Sequence, residues 1–297
     1  MSFQIDTAFV KQYHANVERL LQQRGSKLRG AVRVESQSSE EQYWEQIGSV
    51  EALPVTTRHD DSPLVSTPHD RRRVTLKAYN VGDMVDQLDK VQMLIDPTST
   101  YVQNFVDAIS RKMDDEIVSA FYGTAYTGKA GGTSTTFPSG NKISEDFGAT
   151  NSGLTIAKLI EARRLLLSFH NDPEAEPWYI AVNAAGLADL LNTTQVQSAD
   201  YNTVRALVRG DVDTFLGFKF LHSERLTQGA GAGGAATCDL IPAWTKSGVM
   251  LAMGKDITAR VAERPDKRFS VYAYAEASFG AVRMQENKVI QIQRFVA

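Results

Sequence analysis

Glycines 229, 231 and 234 stand at the G-x-G-x-x-G spacing that holds a dinucleotide pyrophosphate at the start of a helix. That chemistry needs a helix to begin on the last glycine, and AATCDLIPAW follows instead, with Pro242 where the helix would run. The stretch TQGAGAGGAATC therefore reads as a surface loop, with nucleotide binding through Gly229–Gly234 as an enzymatic alternative. Gly128-Lys129 has Gly123 five positions upstream, as a phosphate-binding loop requires, but Ala130 replaces the hydroxyl residue that would reach the magnesium. The histidines (14, 59, 69, 170 and 222) fall in no zinc-ligand pattern, and no G-x-S-x-G elbow exposes a serine nucleophile. Asp114, Asp115 and Glu116 are adjacent on a helix, so they point to different faces and read as a solvated run rather than an acid–base pair. The single cysteine, Cys238, borders an apolar strand and reads as a small hydrophobe. The expectation is no enzyme, no cofactor and no metal.

Bulk properties narrow the class. The 297 residues allow one large domain or two modest ones, and 42% hydrophobic residues can supply a core. A net charge of −3 carries no global basic field of the kind that advertises nucleic-acid binding. One cysteine rules out an intramolecular disulfide and fits a reducing cytoplasm. No apolar run is long enough for a membrane helix, and MSFQIDTAFVKQ lacks the apolar core of a signal peptide.

The dominant element is the stretch from Asp96 to Gly123. Asp96 suits an N-cap and Pro97 a first helical position, while Val102, Phe105, Val106, Ile109, Met113, Ile117, Ala120 and Phe121 recur at helical spacing. Gln103, Asn104, Asp107, Ser110, Arg111, Asp114 and Asp115 form the opposite, polar side, and Gly123 closes the helix. Residues 97–122 would make a rod roughly 39 Å long, more than twice the usual helix length.

Ahead of it, residues 4–24 form an amphipathic helix ended by Gly25, with Phe9, Tyr13 and Val17 on its apolar stripe. KLRGAVRVES starts a strand, SSEEQYWEQIGS (38–49) reads as a short polar helix or irregular segment, and residues 54–70 are polar. RRRVTLKAYNVG alternates as a strand, and 83–95 reads as helical. Two strands flanking a long polar excursion suggest an arm with too few apolar residues to fold alone. After the long helix come a Gly/Ser/Thr-rich loop with room for one hairpin (124–153) and a helix over 155–170 packed through Ile156, Leu159, Ile160, Arg163, Leu166 and Leu167. Then follow a strand at 178–184, a helix at 185–192, a helix near 203–208 and a strand at 217–222. Two strands within 238–252, one near 257–262 and a final strand–turn–strand complete the chain. Helices and strands mix without regular alternation, which argues α+β.

Chemistry is sparse and parts that need a neighbour are plentiful. Candidate subunit-interface residues are Phe9, Tyr13 and Val17 on the first helix, Tyr43 and Trp44 in the arm, and the charged sets Asp60, Asp61 and Arg71, Arg72, Arg73. The three arginines are expected to form ion pairs with adjacent subunits.

In its order of elements the chain resembles the major capsid proteins of tailed bacteriophages, with the Hong Kong 97-type fold. The resemblance rests on the arm, the two-stranded extension, the helix DPTSTYVQNFVDAISRKMDDEIVSAFYGTA, the passage TIAKLIEARRLLLSFH to WYIAVNAAGLADLL, the stretch Val204–Gly210 through Leu216–Leu226 with LGFKFLHSERL, and Phe279-Gly280-Ala281-Val282-Arg283 onward. It implies an N-terminal arm (1–30), an extended loop (31–80), a peripheral domain (81–153 and 251–297) around a spine helix (97–122), and an axial domain (154–250). It further implies self-assembly through pentamers and hexamers into an icosahedral head, built in the host bacterial cytoplasm and enclosing double-stranded DNA held non-specifically. Scaffold, portal and decoration proteins are the implied partners, and Lys11, Arg19, Arg24, Lys27 and Arg29 would form the basic side of the arm. An encapsulin-type bacterial nanocompartment shell shares the fold and is the alternative. The Lys–Asn crosslink of some relatives maps onto no matching position here.

Overall fold

The computed structural model describes residues 20–54, 57–58, 64–85, 98–192 and 214–296. In chain order the strands are β1 (Arg33–Ser36), β2 (Glu41–Ile47), β3 (His69–Thr75) and β4 (Lys77–Val85), followed by helix α1 (Thr98–Tyr122). Next come β5 (Ala125–Thr127), β6 (Thr133–Thr135), β7 (Lys142–Ile143), α2 (Ile156–Ser168), β8 (Trp178–Val182) and α3 (Ala184–Asn192). The chain ends with β9 (Thr214–Phe215), β10 (Phe218–His222), β11 (Gln228–Gly229), β12 (Cys238–Thr245), β13 (Val249–Arg264), β14 (Ser270–Arg283) and β15 (Val289–Phe295). The helices and strands are mixed as the α+β reading expects. The first amphipathic helix up to residue 19, the Asp96–Pro97 cap and the helix near 203–208 lie outside the described residues; residues 20–24, expected to finish that first helix, are not helical, and Leu20 and Leu21 are exposed rather than packed on its stripe.

Three further expectations are corrected. Residues 41–47 are a strand, not a polar helix, because every residue from Glu41 to Ile47 pairs antiparallel with β3. Residues 83–85 finish β4 rather than begin a helix. Strand β13 is continuous over 16 residues where two separate strands were expected.

Two compact units emerge. One comprises residues 1–26, 78–112 and 255–278, and the other 27–77, 113–254 and 279–297. In the first, Asp107 of α1 is buried and accepts the Gly25 N–H at 3.0 Å, and the Arg111 guanidinium donates to Gln22 Oε1 at 2.8 Å. In the same unit the turn joining β13 to β14 places two consecutive non-glycine residues, Arg268 (φ 52°) and Phe269 (φ 59°), in the left-handed region.

The second unit is built on a sheet ordered β7-β15-β12-β8-β10-β9, with β11 beside β12. Every residue of β12 is buried, since both faces of the strand are covered. One face carries Ile241 and Ala243 into a core with Ile156, Leu159 and Leu166 of α2 and with Trp178, Ile180, Phe218, Ile290 and Ile292. On the other face the Trp244 ring packs, tilted by 50° and 4.6 Å between centroids, against Phe121 in the last turn of α1, and it donates its indole N–H to Ala31 O at 2.9 Å. Helix α2 is rotated from the expected stripe. Ile160 (54%) and Leu167 (45%) are exposed, while Lys158 and Ala162 are buried. It is capped by Thr155 and closed by His170 at φ 59°, two residues beyond its last turn.

Candidate subunit interface

Strands β2 and β3 form a ribbon, and β5 and β6 extend it in the order β2-β3-β5-β6. Its inner side belongs to a cluster of Val74, Ala125, Met250, Ala252, Val282 and Met284, against which Trp44 and Leu76 pack. A glycine permits the closest approach of this ribbon to β14. A Cβ on Gly280 would collide with the backbone carbonyl of Thr75. Gln46 adds a hydrogen bond from its amide to Met284 O at 2.8 Å.

The candidate interface residues divide clearly. Phe9, Tyr13, Val17, Asp60 and Asp61 lie outside the described residues. Tyr43 and Trp44 sit on the ribbon. The Tyr43 hydroxyl donates to Ala130 O at 3.3 Å, and the Arg33 guanidinium lies 5.8 Å from the Trp44 ring centroid. The three arginines find acidic partners inside the chain. Arg71 bonds Glu45 at 2.7 Å, buried Arg72 bonds Glu286 at 2.6 Å, and Arg73 stands 3.5 Å from Glu41 with its guanidinium over the Tyr126 ring.

The open end of the ribbon holds what the sequence reading missed. Ile47 (70% exposed), Val50, Leu53, Leu64 (100% exposed) and Val65 are apolar side chains in solvent, flanking a stretch that reads as polar. The signal was present in the short apolar pairs of EALPV and SPLV, at positions that carry no period. These exposed apolar side chains make the extension the candidate subunit interface.

The groups weighed for chemistry are used internally. Asp114 is buried, not solvated as expected, and accepts the backbone N–H groups of Lys27 and Leu28 at 2.9 and 3.2 Å. Asp115 takes a two-pronged bond from Arg225, and Glu116 pairs with Lys77, so the three carboxylates do diverge. The glycine loop holds an anion of the chain's own. Buried Glu145 accepts the N–H groups of Gly233 and Ala235 at 3.1 and 3.0 Å, and a Cβ on Gly231 would strike its carboxylate. Burial alone would raise the Glu145 carboxyl, but those two N–H groups and the Ser144 hydroxyl outweigh it and hold the group at about 2. Beside it, fully buried Lys158 sends its ammonium to the carbonyls of Glu145, Ser152, Gly153 and Gln293, all between 2.9 and 3.1 Å. Burial lowers this ammonium to about 8, against the pull of nearby negative groups. Cys238 is buried and its thiol is pushed up by that burial, which makes it unreactive. No cluster of three metal-ligating side chains occurs among the described residues.

At the C-terminus of α1, Gly123 ends the helix without entering the left-handed region, and its N–H bonds Ser119 O at 2.9 Å. The cap comes from elsewhere. Buried Arg283 donates to Phe121 O and Gly123 O, both at 2.9 Å, meeting the negative end of the helix. Sequence alone could not find this partner 160 residues away.

The sequence model of the phage capsid proteins matches residues 5–296. The chain belongs to the phage capsid protein family. Solved structures of that kind share its fold from end to end. The capsid of Ralstonia phage GP4 matches with a TM-score of 0.76 at 8% identity, covering 100% of this chain and 98% of that one. The capsid of cyanophage P-SCSP1u matches at 0.75 and 14% identity, covering 99% and 95%. The capsid of cyanophage Pam1 matches at 0.72 and 14% identity, covering 100% and 99%. No curated protein matches the chain. The Hong Kong 97-type fold expected from the order of elements is thus the fold this capsid chain adopts, at identities where little but the fold has persisted.

Proposed function

We propose that this major capsid protein assembles through pentamers and hexamers into the icosahedral head that encloses phage double-stranded DNA. The observation that carries the reading is the ribbon β2–β3, whose distal apolar side chains have no core of their own within a chain of the phage capsid family. A second copy supplies the missing surface, and repetition of modest contacts around closed symmetry gives a stable shell. Within this reading the division is an arm (1–30), an extended loop (31–80), a peripheral domain around the spine helix α1, and an axial domain (154–250).

Phe9, Tyr13, Val17, Asp60 and Asp61 remain proposed contacts to neighbouring subunits. Tyr43, Trp44, Arg71 and Arg73 support the ribbon that makes such contacts, and Arg72 anchors it from within. The role is structural rather than enzymatic, consistent with carboxylates, lysine and glycine loop that satisfy one another. Portal, scaffold and decoration proteins would dock on the shell, which resides in the virion after assembly in the host cytoplasm. Packaged DNA would be held without sequence preference, because the net charge of −3 limits phosphate binding. No helix among the described residues is long and apolar enough to cross a membrane.

The test is negative-stain electron microscopy of the expressed chain, alone and with its phage's other head proteins. Shells, or five- and six-membered rings, are expected. A monodisperse monomer under all assembly conditions would overturn the proposal.

A further inference from the structure

Trp44 and Arg72 stand directly opposite one another across β2 and β3, so their side chains share one face of the ribbon. Arg72 is 4% exposed and commits one nitrogen, Nη2, to Glu286. Arg283, 1% exposed, approaches the same carboxylate with its Nε at 3.5 Å, while its two terminal nitrogens serve the carbonyls of Phe121, Gly123 and Thr135. One carboxylate therefore faces two buried guanidiniums, a local surplus of one positive charge. Among the described residues, four nitrogens of these side chains, Arg72 Nε and Nη1, Arg283 Nε and Trp44 Nε1, are buried without a hydrogen-bond acceptor, against one buried acceptor without a donor, Glu286 Oε1. The closeness of the cations is felt chemically as well. Burial, with Arg72 adding to it, lowers the Arg283 guanidinium from its ordinary value.

Buried polar groups in native proteins are almost always satisfied, and buried charges are almost always paired. Here donors exceed acceptors and positive charge exceeds negative. What completes the cluster is an acceptor that carries negative charge and no protons of its own. Water accepts, but it brings two hydrogens and no charge. A peptide carboxylate from another chain would have to reach side chains that are closed off within this one.

We propose that Trp44, Arg72, Arg283 and Glu286 form a binding site for a small monovalent inorganic anion of the chloride class. The ion lies where the base of the ribbon joins β14, so it ties the orientation of the ribbon to the anion content of the medium. This inference concerns the folded chain and is independent of how copies assemble.

The test is thermal unfolding of the full-length chain at constant ionic strength, with sodium chloride replacing sodium gluconate stepwise. A saturable rise in Tm is expected, since chloride at ten times its Kd lowers the unfolding equilibrium constant roughly elevenfold. The chloride NMR line should broaden in the presence of the protein and sharpen again when bromide competes. Trp44→Phe keeps an aromatic ring while removing the indole N–H, and should weaken chloride binding several-fold while the variant remains folded. Equal Tm values in the two salts, a rise that stays linear without saturating, or unchanged chloride affinity in Trp44→Phe would each overturn the site.

Discussion

Lys158→Met is the substitution that most directly tests how the second unit is held together. The side chain is fully buried, and methionine nearly matches its length and volume, so the change removes the ammonium with little change in packing. Four carbonyls, of Glu145, Ser152, Gly153 and Gln293, then lose the three N–H groups they share, although Glu145 O keeps the Ser152 N–H and hydroxyl and Ser152 O keeps the Phe295 N–H, so fewer than four acceptors are orphaned. Each buried acceptor left without a partner costs about 1–3 kcal/mol. Against this, the variant escapes the cost of burying a charge. The fall of the ammonium from 10.5 to about 8 corresponds to about 3 kcal/mol. Deleting one member of a buried charged network typically costs about 3–5 kcal/mol, and with two of the carbonyls keeping other donors the net loss here is expected at the lower end, about 3 kcal/mol. Urea unfolding of the full-length chain, followed by the fluorescence of buried Trp178 and Trp244, should show the midpoint about 1 M lower for the variant. A midpoint indistinguishable from wild type would refute the reasoning, because it would mean that the ammonium's burial cost cancels the hydrogen bonds it makes.

Four further outcomes are expected. Folding holds the Glu145 carboxyl below its ordinary 4.5, so its contribution is complete above that pH and is lost as pH falls toward about 2. Acid titrations of wild type and Glu145→Gln should therefore diverge above about pH 4.5 and converge below about pH 2, and parallel curves would remove the carboxylate's role. Gly280→Ala forces a methyl group into the Thr75 carbonyl and should cost more than about 2 kcal/mol in urea unfolding, with normal stability counting against the close strand approach. Replacing Val50, Leu53 and Leu64 together by serine should leave circular dichroism and Tm unchanged while abolishing particles in the electron microscope; normal shells would show that the ribbon tip is not an interface. Ile117→Asn places an amide at a fully buried position of α1 and should leave the subunit insoluble or unfolded by circular dichroism, whereas a folded, non-assembling subunit would contradict the helix's role in the core.

The long helix was the most legible element of the chain. Apolar residues at every third and fourth position leave no other regular conformation, and the structure carries it over 25 residues. Strands such as β8 and β14 were legible from other signals, a short apolar run in β8 and period-2 alternation in β14. Segment 41–47 was not, because its polar side chains look helical until β3 lies beside them, and only pairing makes them a strand.

The sequence by itself determined the class of the protein. The order of its elements, with one long helix and a poorly apolar extension, resembled that of the tailed-phage capsid chains without a single diagnostic motif. Tertiary structure alone decided what its polar residues do. Gly231 and Gly233 of the glycine loop receive the Glu145 carboxylate. Asp114 anchors the chain at Lys27 and Leu28, and Arg283 caps a helix far away in sequence. The physical reason is one of range. Periodicity records which face of an element is buried, a local property, whereas a buried charge is specified by partners that folding brings from anywhere in the chain.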